Sequence, residues 1–171
     1  MAQRRMITLD AGSDHFSYRV AGVAVENGHV LLHSATHESF WTLPGGHAEL
    51  GEDSATTLTR EMSEEMALYV EVNRLVFVVE NFFDYRGRDY HELLFIHEMS
   101  LPIGFSRARD KTVHVLKEGR NELEFRWQAT DEENLSRIGL LPAFLRQRLS
   151  ALPASTEHIV WCEQPGATST P

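Results

Sequence analysis

One acidic segment, residues 45–68 (GGHAELGEDSATTLTREMSEEMAL), constrains this chain more than any other feature. Helical periodicity places Glu61, Glu64 and Glu65 at positions i, i+3 and i+4, so all three carboxylates project from one helix face. Like charges on one face destabilise a helix unless a cation lies among them, and the only cation of this predicted helix is Arg60. A bound divalent cation would supply the missing positive charge, and carboxylate oxygens suit Mg²⁺ or Mn²⁺.

The residues just before the helix can add further oxygen ligands. Gly45 and Gly46 allow the backbone to come close to a ligand, and a backbone carbonyl there would be one more oxygen for a metal. Asp53 or Ser54 can cap the helix, and Glu52 can reach back toward the same face. The alternative interpretation is a solvated acidic face, because runs of charge usually lie at the surface.

These residues resemble the signature of the Nudix hydrolase family, G-x5-E-x7-R-E-U-x-E-E-x-G-U, in which U is a bulky aliphatic residue. The matching residues are Gly46, Glu52, Arg60, Glu61, Met62, Glu64, Glu65 and Leu68. For the fixed Gly, Arg and Glu positions, the number of chance matches in such a chain is on the order of 10⁻⁴, which disfavours the solvated face. Ala67 departs from the last glycine of the signature, a position that serves helix termination and packing rather than metal binding.

The resemblance implies a fold and a chemistry. The implied fold is the Nudix α/β/α sandwich, a mixed β-sheet between helices with the signature as a loop–helix–loop beside it. The implied reaction is attack by water on phosphorus in a nucleoside diphosphate linked to a group X, with Mg²⁺ or Mn²⁺ as the cofactor. The residues that carry over to the metal site are Glu61, Glu64, Glu65, the Gly45 carbonyl and Glu52, the last as a support for the metal or its waters. Those that carry over to catalysis are Glu61 and Glu64, either of which could be the base, and Arg60, which pairs with the glutamates and orients them.

Substrate-binding candidates lie beyond the signature. Tyr85 stands 17 residues past Leu68, where family members that hydrolyse dinucleoside polyphosphates tend to carry tyrosine. Phe83 replaces the proline that is typical of the ADP-ribose group, although both aromatic residues could equally belong to the core or its rim. Glu124 is a candidate for an extra acidic residue that family members place in this region. The cations that could grip substrate phosphates, or simply be solvated, are Arg86, Arg88, Arg107, Arg109 and Lys111.

Patterning along the chain predicts one domain over residues 1–171, with a core at about 16–162 and flexible ends at 1–14 and 163–171. Many strands and few helices favour a mixed sheet packed by helices. The predicted strands are 16–25, 29–33, 40–43, 69–83, 90–101, 122–128 and 158–161. The predicted helices are 54–66, 131–137 and 142–149, and residues 103–120 are predicted to form a long loop.

Composition and charge limit the classes of function. The chain is 42% apolar and 24% charged, which is typical of a globular protein. Its net charge of −9 argues against binding to duplex nucleic acid, which requires a basic face. Cys162 is the single cysteine and can form no internal disulfide, and no segment has the pattern of a signal peptide or membrane span. We therefore expect a cytoplasmic protein with a small nucleotide-type substrate, and a homodimer would be common for the family.

Several functions within this fold stay open. We expect nucleoside di- or triphosphates or dinucleoside polyphosphates as substrates, with ADP-ribose or a nucleotide sugar as the rival. A non-hydrolytic nucleotide-binding sensor or regulator is the alternative of a different class, but such members usually lose acidic residues of the signature and often carry a DNA-binding domain. An isoprenoid diphosphate isomerase would need a catalytic cysteine inside the domain, and Cys162 lies beyond the expected core.

Overall fold

Two β-sheets dominate this computed structural model, which describes residues 5–105, 112–118 and 121–163. The strands are β1 (Thr8–Ala11), β2 (Asp14–Val23), β3 (Val25–Glu26), β4 (His29–Ala35), β5 (Gly45–His47), β6 (Glu71–Tyr85), β7 (Arg88–Ser100), β8 (Thr112–Glu118), β9 (Asn121–Ala129) and β10 (Glu157–Cys162). The helices are α1 (Ser54–Met66), α2 (Glu132–Arg137) and a short 3₁₀ helix (Ala143–Gln147).

The larger sheet has six strands and is mixed. Its order is β1-β2-β7-β6-β10, and β5 pairs with β2 as well. The pairs β2–β7 and β6–β10 are parallel, whereas β1–β2, β2–β5 and β6–β7 are antiparallel. The second sheet, β3-β4-β9-β8, is antiparallel throughout. Mixed pairing with few helices confirms the predicted fold class.

Alternate residues of β2 contribute to two separate hydrophobic clusters. Val20 packs in the cluster that contains Leu58 of α1, whereas its neighbour Ala21 packs in the cluster that contains Leu145 of the 3₁₀ helix. Successive strand residues point to opposite faces, so the larger sheet is covered on both faces around β2. Within the part of the chain that the structure describes, no helix is long and apolar enough to cross a membrane.

Described residues near both ends of the chain have defined contacts. Residues 8–11 fall in the predicted flexible end but form β1, which pairs with residues 14–17 of β2 across a turn at Gly12 (φ 64°). All four β1 residues are exposed, so no apolar alternation marks this strand in the sequence. Glu163 is anchored as well, because its carboxylate accepts from the backbone N–H of Ala143 and from the indole of Trp161.

Three further predictions about secondary structure were wrong. The strand expected at 40–43 is limited to isolated bridges, and the regular strand is β5 at the glycine pair. Residues 112–118, inside the predicted loop 103–120, form β8 because the partner strand β9 satisfies their backbone groups. The predicted helix 142–149 is a 3₁₀ helix over residues 143–147.

Helix α1 begins and ends with identifiable caps. Asp53 is the N-cap and its carboxylate accepts from the Thr56 N–H at 2.7 Å. Ala67 ends the helix in the left-handed conformation (φ 53°, ψ 33°), and the Leu68 N–H donates back to the Met62 carbonyl at 3.3 Å. The Ala67 N–H donates to the Ser63 carbonyl at 3.0 Å, which is the bond of the αL capping motif, whose left-handed residue is usually glycine. Ala67, which replaces the last glycine of the signature, therefore adopts a conformation that glycine would adopt with less strain.

Two histidines close to the helix are held in their neutral form. Burial, and secondarily the charge of Arg19, lowers the pKa of His33 to about 3. His33 packs against Phe125 with a ring-centroid separation of 5.3 Å. Burial, followed by the charges of Arg19 and His15, lowers the pKa of His47 to about 4. Both imidazoles are thus uncharged near neutral pH.

We predict that Ala67→Gly raises the free energy of unfolding by about 1 kcal/mol, because glycine adopts the left-handed conformation without the Cβ penalty. Urea denaturation measures the change. Ala55→Gly, in the first turn of the same helix, is the control and should lower stability by about 0.5 kcal/mol or more. Equal destabilisation by both variants would contradict the argument.

We also predict that stability falls as the pH drops below about 6.5, where the histidines of an unfolded chain take up protons. The folded pKa values of His33 and His47 are lower, so the unfolded state binds more protons between that pH and about 4. Above about 6.5 this contribution is fully present and constant. Denaturant titrations from pH 7.5 to pH 5 should show that the free energy of unfolding decreases as the pH falls. The substitution His33→Gln should make this decrease smaller. An unchanged slope in the variant would show that His33 is not responsible.

Candidate active site

Arg60 gathers the acidic residues of the glutamate helix. Its Nε donates to Glu52 Oε1 at 2.8 Å and its Nη2 to Glu52 Oε2 at 3.0 Å. Its Nη1 donates to Glu61 Oε1 at 2.6 Å and to Glu64 Oε2 at 3.2 Å. The hydrogen bond with Glu52, followed by that with Glu61, raises the pKa of Arg60 despite partial burial. The Arg60 guanidinium thus donates hydrogen bonds to three carboxylates and brings them close together.

The main hydrogen-bond partner of Glu52 is the Arg60 guanidinium. It also accepts from the Thr57 hydroxyl at 3.0 Å and from the Glu49 N–H at 3.3 Å. The hydrogen bond from Arg60 is the main cause that lowers the pKa of the Glu52 carboxyl, so Glu52 is ionised at neutral pH. Its position suits a residue that orients Arg60.

The glycine pair in β5 lets the helix approach the sheet. A Cβ atom on Gly46 would overlap the carboxylate of Glu61, which is only 8% exposed. A Cβ atom on Gly45 would collide with the Val20 carbonyl, and Gly45 has a φ of 146° that favours glycine. Because neither glycine has a side chain, the buried Glu61 carboxylate can pack against Gly46 and the Val20 carbonyl can pack against Gly45.

The remaining glutamates of the face lie in different surroundings. The side chain of Glu64 is 39% exposed, whereas that of Glu65 is 15% exposed and its Oε2 lies 3.7 Å from His33 Nδ1. Because the low pKa of His33 keeps it neutral, this contact is polar rather than ionic. Among residues 5–105, 112–118 and 121–163, no three metal-ligating side chains gather in the geometry of a metal site.

The donor atoms nevertheless fit a hard divalent cation. They are carboxylate oxygens of Glu61, Glu64 and Glu65, together with the Gly45 carbonyl, and oxygen is the ligand that Mg²⁺ and Mn²⁺ prefer. The absence of a side chain at Gly46 leaves the room that the Glu61 carboxylate uses. The glutamates thus present the kind of oxygen ligands that such an ion requires.

A cavity of about 320 Å³ lies against β2, β7 and β6. Its aromatic lining residues are Phe40, Phe83, Tyr85 and Tyr90, and its polar ones are Ser17, Arg19, Thr42, His47, Asn81, Glu92 and Glu163. This size and mixture are typical of a small-molecule site. None of these polar residues was predicted from the sequence as a site residue, because single polar residues on a strand form no spacing motif.

Arg19 connects the cavity to the glutamate helix. It lines the cavity, and its Nη2 donates to the Gly45 carbonyl at 3.2 Å. Its charge also contributes to lowering the pKa of His33, the neighbour of Glu65. Arg19 therefore links the cavity lining to the glycine pair against which the glutamate helix packs.

Of the predicted substrate residues, the structure brings two to the cavity. Phe83 and Tyr85 line it, and Arg86 lies at its rim, with its guanidinium 5.0 Å from the Tyr85 ring centroid. Arg88 instead pairs with Asp10 of β1, and Glu124 pairs with Arg126, so neither lines the cavity. Arg107, Arg109 and Lys111 lie outside the described residues.

Glu38 links Tyr85 and Arg86 at the rim of the cavity. It accepts from the Tyr85 hydroxyl and from Arg86 Nη2, the latter at 3.1 Å, and His37 Nε2 lies 3.2 Å from it. Burial, followed by the Glu38 carboxylate, raises the pKa of Tyr85 to about 12. Tyr85 is therefore a neutral hydrogen-bond donor whose ring faces the cavity edge.

Comparisons with known proteins find sequence similarity over part of the chain. A MutT-like protein of Streptomyces ambofaciens is 42% identical over 66 residues, which are 38% of this chain and 43% of that protein. YjhB of Bacillus subtilis (strain 168), named for a proposed ADP-ribose pyrophosphatase activity, is 32% identical over 62 residues, which are 36% of this chain and 30% of that protein. The chain thus spans less than half of the length of either relative.

Structural similarity covers more of the chain. The crystal structure of a mutator MutT protein from Bacillus halodurans matches 83% of this chain and 89% of that chain, with a TM-score of 0.52 and 18% identity. At this identity the match concerns the fold alone. A family model described as the NUDIX domain matches residues 17–144, which include most of β2, the glycine pair, α1 and the other two cavity strands β6 and β7. Because that match covers well over half of the sequence, the chain belongs to the NUDIX domain family.

Proposed function

We propose that this protein is a metal-dependent hydrolase that cleaves a pyrophosphate bond in a nucleoside diphosphate linked to a group X. The observation that carries this proposal is the continuity between the glutamate helix and the cavity through Arg19 and the Gly45 carbonyl. Nucleoside di- and triphosphates or dinucleoside polyphosphates fit an aromatic cavity that ends at a guanidinium. ADP-ribose and nucleotide sugars are the rival substrates.

The glutamates would hold Mg²⁺ or Mn²⁺. Glu61, Glu64 and Glu65 supply carboxylates and Gly45 supplies its carbonyl. Such an ion, when bound, neutralises charge on the pyrophosphate and lowers the pKa of the attacking water. Either Glu61 or Glu64 takes the proton as water attacks phosphorus. The new P–O bond forms while the bridging P–O bond breaks, which releases a nucleoside monophosphate and the phosphorylated remainder.

Arg60 and Glu52 act as positioning residues in this proposal. The bidentate hydrogen bonds between them fix the guanidinium, which in turn fixes Glu61 and Glu64. Arg60 also donates to the His47 carbonyl at 3.0 Å, so the helix face is locked to β5. Arg19 holds the substrate phosphates toward this face.

We predict that Glu64→Gln lowers kcat by about 100-fold or more, because it removes a metal ligand or the general base without a change in shape. The assay is a panel of nucleoside di- and triphosphates, diadenosine polyphosphates, ADP-ribose and nucleotide sugars with Mg²⁺ or Mn²⁺. Products are identified by mass in ¹⁸O-labelled water. Glu133→Gln is the matched control, since Glu133 is an exposed helical glutamate of α2.

Two outcomes would contradict the hydrolase proposal. One is equal turnover by Glu64→Gln and the unaltered protein. The other is nucleotide binding without turnover on the whole panel, which would favour the sensor function instead. Activity in Mg²⁺ that disappears with EDTA and returns with added metal is the expected result.

We also predict that Arg60→Lys lowers kcat/KM by about tenfold or more. Lysine keeps the charge but cannot make the forked contacts to Glu52, Glu61 and the His47 carbonyl. A higher metal concentration at half-maximal activity should accompany the loss, because the glutamates are less well oriented. The control is Arg74→Lys, whose partner Glu98 forms a surface pair. Similar effects from both substitutions would refute a specific positioning role for Arg60.

A further inference from the structure

The imidazole of His33 lies where the second sheet meets α1. His33 belongs to β4, its register partner is Phe125 of β9, and it exchanges two backbone hydrogen bonds of 2.9 Å with Thr42. The residue is only 6% exposed, and its ring packs against Phe125. From α1, the side chain of Glu65 approaches so that its Oε2 lies 3.7 Å from His33 Nδ1. A histidine whose backbone and ring are both held thus faces a glutamate of the candidate metal site.

Both atoms of this contact are buried. Neither Glu65 Oε2 nor His33 Nδ1 is accessible to solvent, and His33 Nδ1 makes no hydrogen bond within the part of the chain that the structure describes. A carboxylate oxygen can only accept, whereas each ring nitrogen of a neutral imidazole either donates or accepts. Two acceptors that face each other away from water would be costly. The contact therefore requires the ring hydrogen on Nδ1, although the Nε2–H tautomer is the commoner form of free histidine.

The other carboxylates beside this site are held by a cation. The side-chain hydrogen bonds of Arg60 go to Glu52, Glu61 and Glu64. Glu65 instead meets an imidazole that is neutral near neutral pH, because burial and the charge of Arg19 lower the pKa of His33. A neutral donor orients a carboxylate but leaves its negative charge to attract a cation.

We propose that His33 is a positioning residue for Glu65, with its Nδ1–H directed at Glu65 Oε2. A carboxylate has two oxygen atoms, so a donor on one of them fixes the group and leaves the other for a divalent cation. His33 lies outside the acidic segment 45–68, so the signature does not include this role. The inference rests on the proposed function for the role of Glu65 as a metal ligand, but the tautomer and cation binding are both measured without turnover.

The first test determines which ring nitrogen of His33 carries the hydrogen in the metal-free protein. Long-range ¹H–¹⁵N spectra of the unaltered full chain, near neutral pH and after sequential assignment, distinguish a protonated ring nitrogen from an unprotonated one. We expect the hydrogen on Nδ1. A hydrogen on Nε2 would overturn the inference, because Nδ1 would then have nothing to donate to Glu65.

The second test separates the hydrogen bond from packing. The amide N–H of His33→Asn can replace Nδ1–H, whereas His33→Leu has nearly the same shape as the Asn variant and no donor. Binding of Mn²⁺ to the full chain is measured by calorimetry. His33→Leu should weaken Mn²⁺ binding by about tenfold or more, which is typical of lost support behind a metal ligand, and His33→Asn by less than about threefold.

His114 provides the matched control. It lies on β8 and packs against the same Phe125 ring, with 5.7 Å between the ring centroids. His114→Leu and His114→Asn should leave the affinity for Mn²⁺ unchanged. Equal weakening by His33→Leu and His114→Leu would assign the effect to packing on Phe125 and would overturn the inference. Circular dichroism checks that each variant folds, and the tautomer measurement needs no variant.

The outcomes separate this inference from the proposed function. Equal Mn²⁺ affinities of His33→Asn and His33→Leu would remove the role of His33 and leave the hydrolase standing. An Nδ1–H tautomer together with weaker binding by His33→Leu alone would support the inference, even if no nucleotide of the substrate panel is turned over and the hydrolase is removed. Absence of Mn²⁺ binding by the unaltered protein would overturn both.

Discussion

The fork of hydrogen bonds from Arg60 is the interaction on which the candidate site depends. Three carboxylates on one helix face repel one another, and two of them, Glu61 and Glu64, are held by this guanidinium. Glu52 supplies the opposite charge that fixes the guanidinium itself. Because Arg60 also donates to the β5 backbone, the same group that balances the charge fixes the helix relative to the sheet.

Close approach of backbone and carboxylate is the second constraint. Gly46 leaves room for Glu61, and Gly45 turns its carbonyl to Arg19. A side chain at Gly46 would displace the Glu61 carboxylate of the helix, and a side chain at Gly45 would push β5 away from β2. The short strand β5 therefore connects the glutamate helix to the cavity. On one side lie the oxygens that suit a metal, and on the other side begins the cavity.

The cavity adds recognition to this chemistry. Three of its aromatic residues, Phe83, Tyr85 and Tyr90, come from β6 and β7, and its buried polar residues Ser17, Asn81 and Glu92 come from β2, β6 and β7. The spacing of these residues is fixed by the backbone hydrogen bonds of the sheet. Loops contribute the rim, where Glu38 holds Tyr85 and Arg86. This division resembles many enzymes in which a rigid scaffold positions a site and loops adjust its edge.

The sequence by itself determined the helix, the shared face of its glutamates and the mixed fold class, because these depend on short-range periodicity and patterning. It limited the N-cap to Asp53 or Ser54, and the structure selects Asp53. It could not give the exposed strand β1, which has no apolar pattern, or β8, which forms only because β9 lies beside it. It also could not join Arg19, Asn81 and Glu92. Alternation along a strand indicates the face of a residue, but its neighbours across the sheet follow from register, which only the tertiary structure decides.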